Sequence, residues 1–216
     1  MSIDFRLSDE NRLVQQTVRD FAENEILPHI REWDAKGEVH REVFAKMGEL
    51  GLMGVAIPPE YGGSGFDYVT YVLAMEEISK VDASAGVIMS VNNSLVCWGL
   101  ETFGSEKQKQ KYLTNLATGR WLGAFALSEP EAGSDASNQR TIATRKGDVY
   151  LLNGTKNWIS SANSGSVYIV FAQTNPELRH KGINAFIVEK EWPGISLSPH
   201  EDKMGLRSSD THSVMF

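Results

Sequence analysis

Cys97 is the only cysteine in the 216 residues, so the chain can close no internal disulfide, which fits a reducing compartment. It sits among apolar neighbours and reads as a small core residue rather than a reactive thiol. Basic charge is also scarce. Lys and Arg number 21 against 28 Asp and Glu, and the resulting net charge of −7, with no massed cations, argues against nucleic-acid binding. The five histidines, His29, His40, His180, His200 and His212, have no metal-ligand spacing. A long uninterrupted apolar run is missing. The best candidate, Ala83 to Leu100, is broken by Asn92 and Asn93 and is too mixed for a membrane span. Met1–Phe5 has neither a basic start nor an apolar core, so no signal peptide is expected. What remains is a composition of 41% hydrophobic and 23% charged residues, that of a soluble globular protein with room for one large or two modest domains.

The first half carries helical signals. Ser8 reads as an N-cap, with Asp9 and Glu10 suited to the positive end of a helix, and Val14, Val18 and Phe21 recur on one face. Pro28 should end or kink that helix. A second helix is expected from Arg41, with Val43, Phe44, Met47 and Leu50 inward, stopping at Gly51. The run Pro58-Pro59-Glu60-Tyr61-Gly62-Gly63-Ser64-Gly65 invites a phosphate-loop reading. It fails because no Lys-Ser or Lys-Thr follows and no strand precedes it, so a turn-rich connector is expected. Asp67 can cap a third helix carrying Val69, Val72, Leu73 and Ile78. Glu76 and Glu77 diverge by about 100° on such a helix, which makes them solvated surface rather than a cooperating acid–base pair. Ala83 to Leu100 is apolar or small nearly all round, as in a helix buried within a bundle. Its two asparagines then need partners, unless part of the helix lines a ligand cavity. Ser105-x-x-Gln108 is a capping box opening a last helix that ends at Gly119. Residues 1–118 are thus expected as a helical domain of five or six helices.

From Trp121 the pattern changes. Strands are expected at Leu122–Leu127, Thr141–Arg145, Val149–Leu152, Val167–Gln173 and Ala185–Glu189, with Gly147-Asp148 and Asn153-Gly154 as turns, the latter a strong hairpin signal. The spacing suggests a small antiparallel barrel or sandwich over residues 119–216. The fold class expected is α+β and multidomain. His212–Phe216 reads as a strand just beginning, from which a truncated β-domain is expected. The seam itself, Trp121–Asp135, breaks from an apolar run into Ser128-Glu129-Pro130 and a small-residue loop ending Gly133-Ser134-Asp135. Taken alone, that loop is a turn, Trp158 is a core residue of a strand, and Arg207–Thr211 is a polar turn.

Together these stretches carry more. Leu127-Ser128-Glu129-Pro130…Gly133-Ser134-Asp135, Asn153-Gly154-Thr155-Lys156…Trp158-Ile159-Ser160 and Lys203-Met204-Gly205-Leu206-Arg207-Ser208-Ser209-Asp210-Thr211 resemble, in order and spacing, the acyl-CoA dehydrogenases. The likeness covers the family's N-terminal helical domain and middle β-domain. Phe125-Ala126-Leu127-Ser128-Glu129-Pro130, Ser90–Leu95 and Lys181-Gly182-Ile183…Ala185-Phe186 look most like the short-chain, butyryl-CoA branch. The resemblance implies FAD lying against the β-domain. Phe125, Leu127 and Ser128 would lie along the flavin, with backbone groups of Leu127 and Ser128 at its pyrimidine edge. Gly133 and Ser134 would reach the phosphate side, and Ser134 the CoA portion of the substrate. Trp158, Ile159 and Ser160 would form a second flavin wall, with the Ser160 hydroxyl near the N5 edge. Donors at the pyrimidine edge make physical sense, because a flavin that accepts hydride builds negative charge there.

The implied reaction is α,β-dehydrogenation of a short-chain acyl-CoA to the trans-2-enoyl-CoA, electrons passing to electron-transferring flavoprotein. In the family the α-proton base is a glutamate of a C-terminal helical domain, which also makes FAD and tetramer contacts. That domain is absent from these 216 residues, so no catalytic base is expected within them, and the chain alone is expected to be inactive. Glu129 is a poor substitute, since Pro130 restricts its backbone. Two alternatives stand beside this reading: an acyl-CoA oxidase or flavin monooxygenase on the same scaffold, or a non-catalytic two-domain fragment. A bacterial cytoplasm or a mitochondrial matrix fits the lack of a targeting segment.

Overall fold

The computed structural model describes residues 6–216. The Met1–Phe5 segment, read above as no signal peptide, lies outside the described residues.

The helices come first. They are α1 (Asp9–Phe21), α2 (Ile30–Lys36), α3 (Arg41–Glu49), α4 (Tyr68–Val81), α5 (Ala83–Ser90), α6 (Trp98–Phe103), α7 (Glu106–Gln108) and α8 (Thr114–Ala117). π-Helical turns extend α1 through Ala22–Ile26, join α5 to α6 through Val91–Cys97, and join α7 to α8 through Lys109–Leu113. Ser8 caps α1 in a reciprocal box with Asn11, and Ser105 does the same for α7 with Gln108. Pro28 falls in the turn before α2, a helix the sequence did not signal. Gly51 takes φ +73° after α3, as a helix stop requires.

Two expectations need correction, an inward Leu50 and a solvated Glu77. Leu50 is exposed, as are Val69 and Val72 of α4. The buried face of α4 is Thr70, Tyr71, Leu73, Ala74, Glu77 and Ile78, so the two valines fall on the opposite side. Glu77 is buried rather than solvated. Arg19 reaches it at 3.0 Å, Lys80 at 2.9 Å and Gln15 at 2.9 Å.

The rod α5–α6 meets length and hydropathy criteria for a membrane span, but over half of that window is buried in the protein. Its asparagines are satisfied. Asn92 donates to the Met53 and Leu116 carbonyls and accepts the Gly123 N–H at 3.1 Å. Asn93 donates to Leu52 and Met89 and accepts the Val55 N–H. The rod is not buried all round, because Leu95 and Trp98 are partly exposed. Cys97 is fully buried, and burial pushes its thiol well above the ordinary range.

The strands are β1 (Gly123–Ala126), β2 (Ile142–Lys146), β3 (Val149–Asn153), β4 (Thr155–Ser160), β5 (Val167–Gln173), β6 (Ile183–Glu189), β7 (Ser196–Leu197) and β8 (Thr211–Met215). They form two sheets, β1-β5-β2-β3 with β6 also on β5, and β4-β8-β7. Among the described residues the sheets do not close into a barrel. The larger sheet is mixed rather than purely antiparallel, because β1 and β2 both run parallel to β5. Gly147-Asp148 is the β2–β3 hairpin turn. Asn153-Gly154 is not a hairpin. The chain there leaves the first sheet and enters the second, where Gly154 and Phe216 exchange backbone hydrogen bonds of 3.2 and 2.9 Å. The glycine serves close approach instead, since a Cβ on it would lie 2.4 Å from Thr141 Oγ1.

Of three apolar clusters among the described residues, one joins the helices to the sheets. Val96, Cys97, Leu100, Tyr112, Leu113 and Leu116 pack with Val167 and Ile169. Around that core Lys111 and Tyr112 both bind Glu189, and Arg207 pairs with Asp34.

Candidate functional site

The chain leaves β1 at Leu127 and turns through a short bridge between Glu129 and Ala132. What fixes the turn is a buried ion pair. The Lys156 side chain, at the start of β4, is 0% exposed and the Glu129 side chain 2%. Lys156 Nζ donates to Glu129 Oε1 at 2.7 Å, to Gln139 Oε1 at 3.1 Å and to the Leu127 carbonyl at 3.1 Å. Glu129 also accepts the Arg140 and Thr141 N–H groups at 2.5 and 3.0 Å. Burial alone would push the Glu129 carboxyl up, but the Lys156 ammonium and those N–H donors outweigh it and hold it below the usual range. Burial pulls the Lys156 ammonium down, opposed by Glu129. A buried carboxylate held below its usual pKa by three donors is a weak proton acceptor and is cut off from solvent, which makes Glu129 a poor base.

The two stretches singled out in the sequence also meet backbone to backbone, where the Asn157 N–H donates to the Ser128 carbonyl at 2.8 Å. The carbonyls of Leu127 and Ser128 are thereby both engaged. Among the described residues no protein acceptor meets their two N–H groups, so this turn offers a ligand donors.

Immediately after comes Trp158. A register shift between Lys156 and Ile159 bulges β4, and Trp158 sits on the bulge with φ +61° and 65% of its surface exposed. A tryptophan in a strand is ordinarily core; the bulge turns this one outward. Left-handed backbone at a bulky residue costs about 1–2 kcal/mol, and an exposed side chain returns little of that through packing. Such strain at a surface aromatic points to function.

The other candidates are distributed around this centre. The Ile159 side chain is buried with Ala124, Ala126, Tyr168 and Val170, so toward a ligand it has only its backbone. Ser160 is half-buried beside Ser161, whose N–H is held by the Asp210 carbonyl. The Asp210 carboxylate also takes the Asn163 and Ser164 N–H groups and the Ser164 hydroxyl, pinning the loop that follows β4. Gly133 and Ser134 are exposed on the loop after the turn. Phe125 projects toward the cluster shared with the helices, its ring tilted against that of Phe171 with centroids 5.0 Å apart. There it lines an apolar cleft of about 400 Å³ with Leu95, Trp98, Ile169 and Ile187. A further cleft of about 650 Å³, between β3, β6 and residues 192–195, holds none of the candidates.

The family models for the acyl-CoA dehydrogenase N-terminal domain and middle domain match residues 8–120 and 124–216. The chain belongs to the acyl-CoA dehydrogenase family. It is 46% identical over 210 residues to the human mitochondrial short-chain specific acyl-CoA dehydrogenase, covering 97% of this chain and 51% of that protein. Among solved structures, butyryl-CoA dehydrogenase from Megasphaera elsdenii superposes with a TM-score of 0.95 at 40% identity, over 99% of this chain and 57% of that one. A Mycobacterium smegmatis glutaryl-CoA dehydrogenase in complex with FADH2 does so with a TM-score of 0.91 at 34% identity, over 97% and 53%. The chain thus spans about half the length of the relatives it matches.

Lys156, Gln139 and Asp210 are structural partners the sequence did not pick out for these roles. No local cue marks Lys156, which stands between Thr155 and Asn157. Nothing in the spacing pairs it with an acid 27 residues earlier.

Proposed function

We propose that this chain supplies the flavin wall and the substrate-positioning surface of a short-chain acyl-CoA dehydrogenase. The observation that carries the reading is the Asn157–Ser128 hydrogen bond. It joins a turn rich in free donors to an exposed, strained Trp158. That combination fits FAD: a flat aromatic face for the ring beside N–H donors for its electron-rich pyrimidine edge. Trp158 would hold the ring, with the backbones of Leu127, Ser128 and Ile159 and the hydroxyls of Ser128 and Ser160 at its edges. Gly133 and Ser134 would serve the phosphate side, and Ser134 the CoA portion of the substrate. When bound, the flavin supplies the two-electron acceptor for the β-hydride of an acyl-CoA, and the electrons leave to electron-transferring flavoprotein.

The residues of this chain orient and exclude. The apolar cleft beside Phe125, with Leu95 and Trp98, suits a short acyl chain and keeps water from it. Glu129 is a poor base, so the α-proton base is assigned, as the family implies, to a carboxylate of a C-terminal helical domain. The whole enzyme would work as a homotetramer in a bacterial cytoplasm or a mitochondrial matrix.

Titration with FAD tests the reading. Trp158→Ala removes an aromatic stacking surface worth about 1–3 kcal/mol, and FAD binding weakens roughly 5- to 150-fold. Folding stability stays within about 1 kcal/mol, because the side chain is mostly exposed. Unchanged FAD affinity in a folded Trp158→Ala variant sinks the assignment.

A further inference from the structure

We propose that Lys156 is a positioning residue for the flavin, acting through the Leu127–Ser128 peptide group. The inference rests on the flavin reading above. It starts from the three acceptors of the buried ammonium. An ammonium has three protons, and Lys156 gives them to Glu129, Gln139 and the Leu127 carbonyl, so it can neither swing nor rotate away. The Leu127 carbonyl belongs to the same peptide unit as the Ser128 N–H. A cation on the oxygen draws electron density through the amide, which makes the N–H a stronger donor. The same contact fixes the plane of the peptide, and the Asn157 N–H on the Ser128 carbonyl fixes the next one.

The charge partner does not cancel this effect. Only Lys156 touches the Leu127 oxygen, while Glu129 is turned to the Arg140 and Thr141 N–H groups. At long range the pair is nearly neutral, and its influence is confined to the peptide that it contacts. A donor that strengthens toward the pyrimidine edge favours the electron-rich, reduced ring over the oxidised one. Lys156 therefore raises the two-electron reduction potential of bound flavin without touching it.

The test uses the FAD-loaded holoenzyme and reads the midpoint potential at fixed pH. Lys156→Met/Glu129→Gln removes both charges together, so no unpaired ion stays buried. It shifts the equilibrium against reduced flavin about tenfold, a fall of about 30 mV for two electrons. Gln139→Met removes a different anchor of the same ammonium but leaves its charge and its hold on Leu127. Its potential stays close to wild type, whereas a purely structural role would move both variants alike. A second measurement needs no substitution: with serine selectively labelled, the Ser128 amide proton moves downfield on FAD loading. A double variant with wild-type potential overturns the proposal and leaves the flavin reading standing, whereas an unmoved Ser128 amide overturns the proposal and also removes Ser128 from the flavin's donors. An enzyme that takes up no FAD overturns both.

Discussion

Two residues show how a site or a core can defeat local reading. Glu77 sits next to Glu76 on α4, and nothing in the acidic pair says which one turns inward. The answer lies on α1, where Arg19 is placed to meet it. Hydrogen bonding from Arg19, with help from Lys80 and against the push of burial, pulls the Glu77 pKa down to about 2 from an ordinary 4.5. The sign follows from the lowered value. Glu77 contributes stability above about pH 4.5, and the contribution is lost as pH falls toward 2. Arg19 and Lys80 are half exposed, so solvent screening leaves it on the order of 1–2 kcal/mol. Urea midpoints of wild type and Glu77→Gln should differ at pH 7, draw together below about pH 4.5 and meet only near pH 2. A gap as wide at pH 3 as at pH 7 would remove the electrostatic account. Trp158 is the opposite case. Strand propensity sends a tryptophan inward, and only the three joint motifs mark it as a surface group. The bulge that exposes it has no sequence signature of its own, because it arises from the pairing of β4 with β8.

Among elements, the caps and most strand positions were legible because their causes are local, whereas β4 and β7 were not among the expected strands. Ser8, Ser105 and Asp67 bond groups three residues away, and the β5 bounds follow from an unbroken run of β-formers. Pairing was not legible. A parallel neighbour for β1 is chosen 40 residues downstream, and the Asn153-Gly154 signal is overruled by Phe216 at the far end of the chain. The rod α5–α6 was readable in part: two polar residues in an apolar helix demand partners, though not which ones. Asn92 turns out to tie the helix to β1 through the Gly123 N–H, beside a contact where a Cβ on Gly123 would meet Val96 at 2.6 Å. Asn92→Leu strands that N–H and the Met53 and Leu116 carbonyls in a dry core, at a cost of about 2–4 kcal/mol. Calorimetry should show the melting temperature falling by roughly 5–15 °C. A loss below about 1 °C would mean that water or a backbone shift replaces the amide.

At the scale of the molecule the question is whether helices and sheets behave as two bodies or one. Composition divides them at the seam before Gly123, and the functional turn lies on the sheet side of it. The packing does not divide there. Leu113, fully buried, belongs to the helical half yet packs in a cluster that includes Val167 and Ile169 of β5. The same β5 carries β1 on one side, and β1 presents the Leu127–Ser128 turn. Loss of helical packing therefore loosens the strand that holds the flavin donors, without any residue of the site being touched. Leu113→Ala removes buried methyl groups and leaves a cavity, costing about 2–5 kcal/mol. If the core is shared, hydrogen exchange at the Val167–Val170 amides should accelerate by the same free energy as exchange in α4 and α5. If β5 keeps its protection while the helices lose theirs, the two halves open independently, and the geometry of the Ser128 turn owes nothing to the helical core.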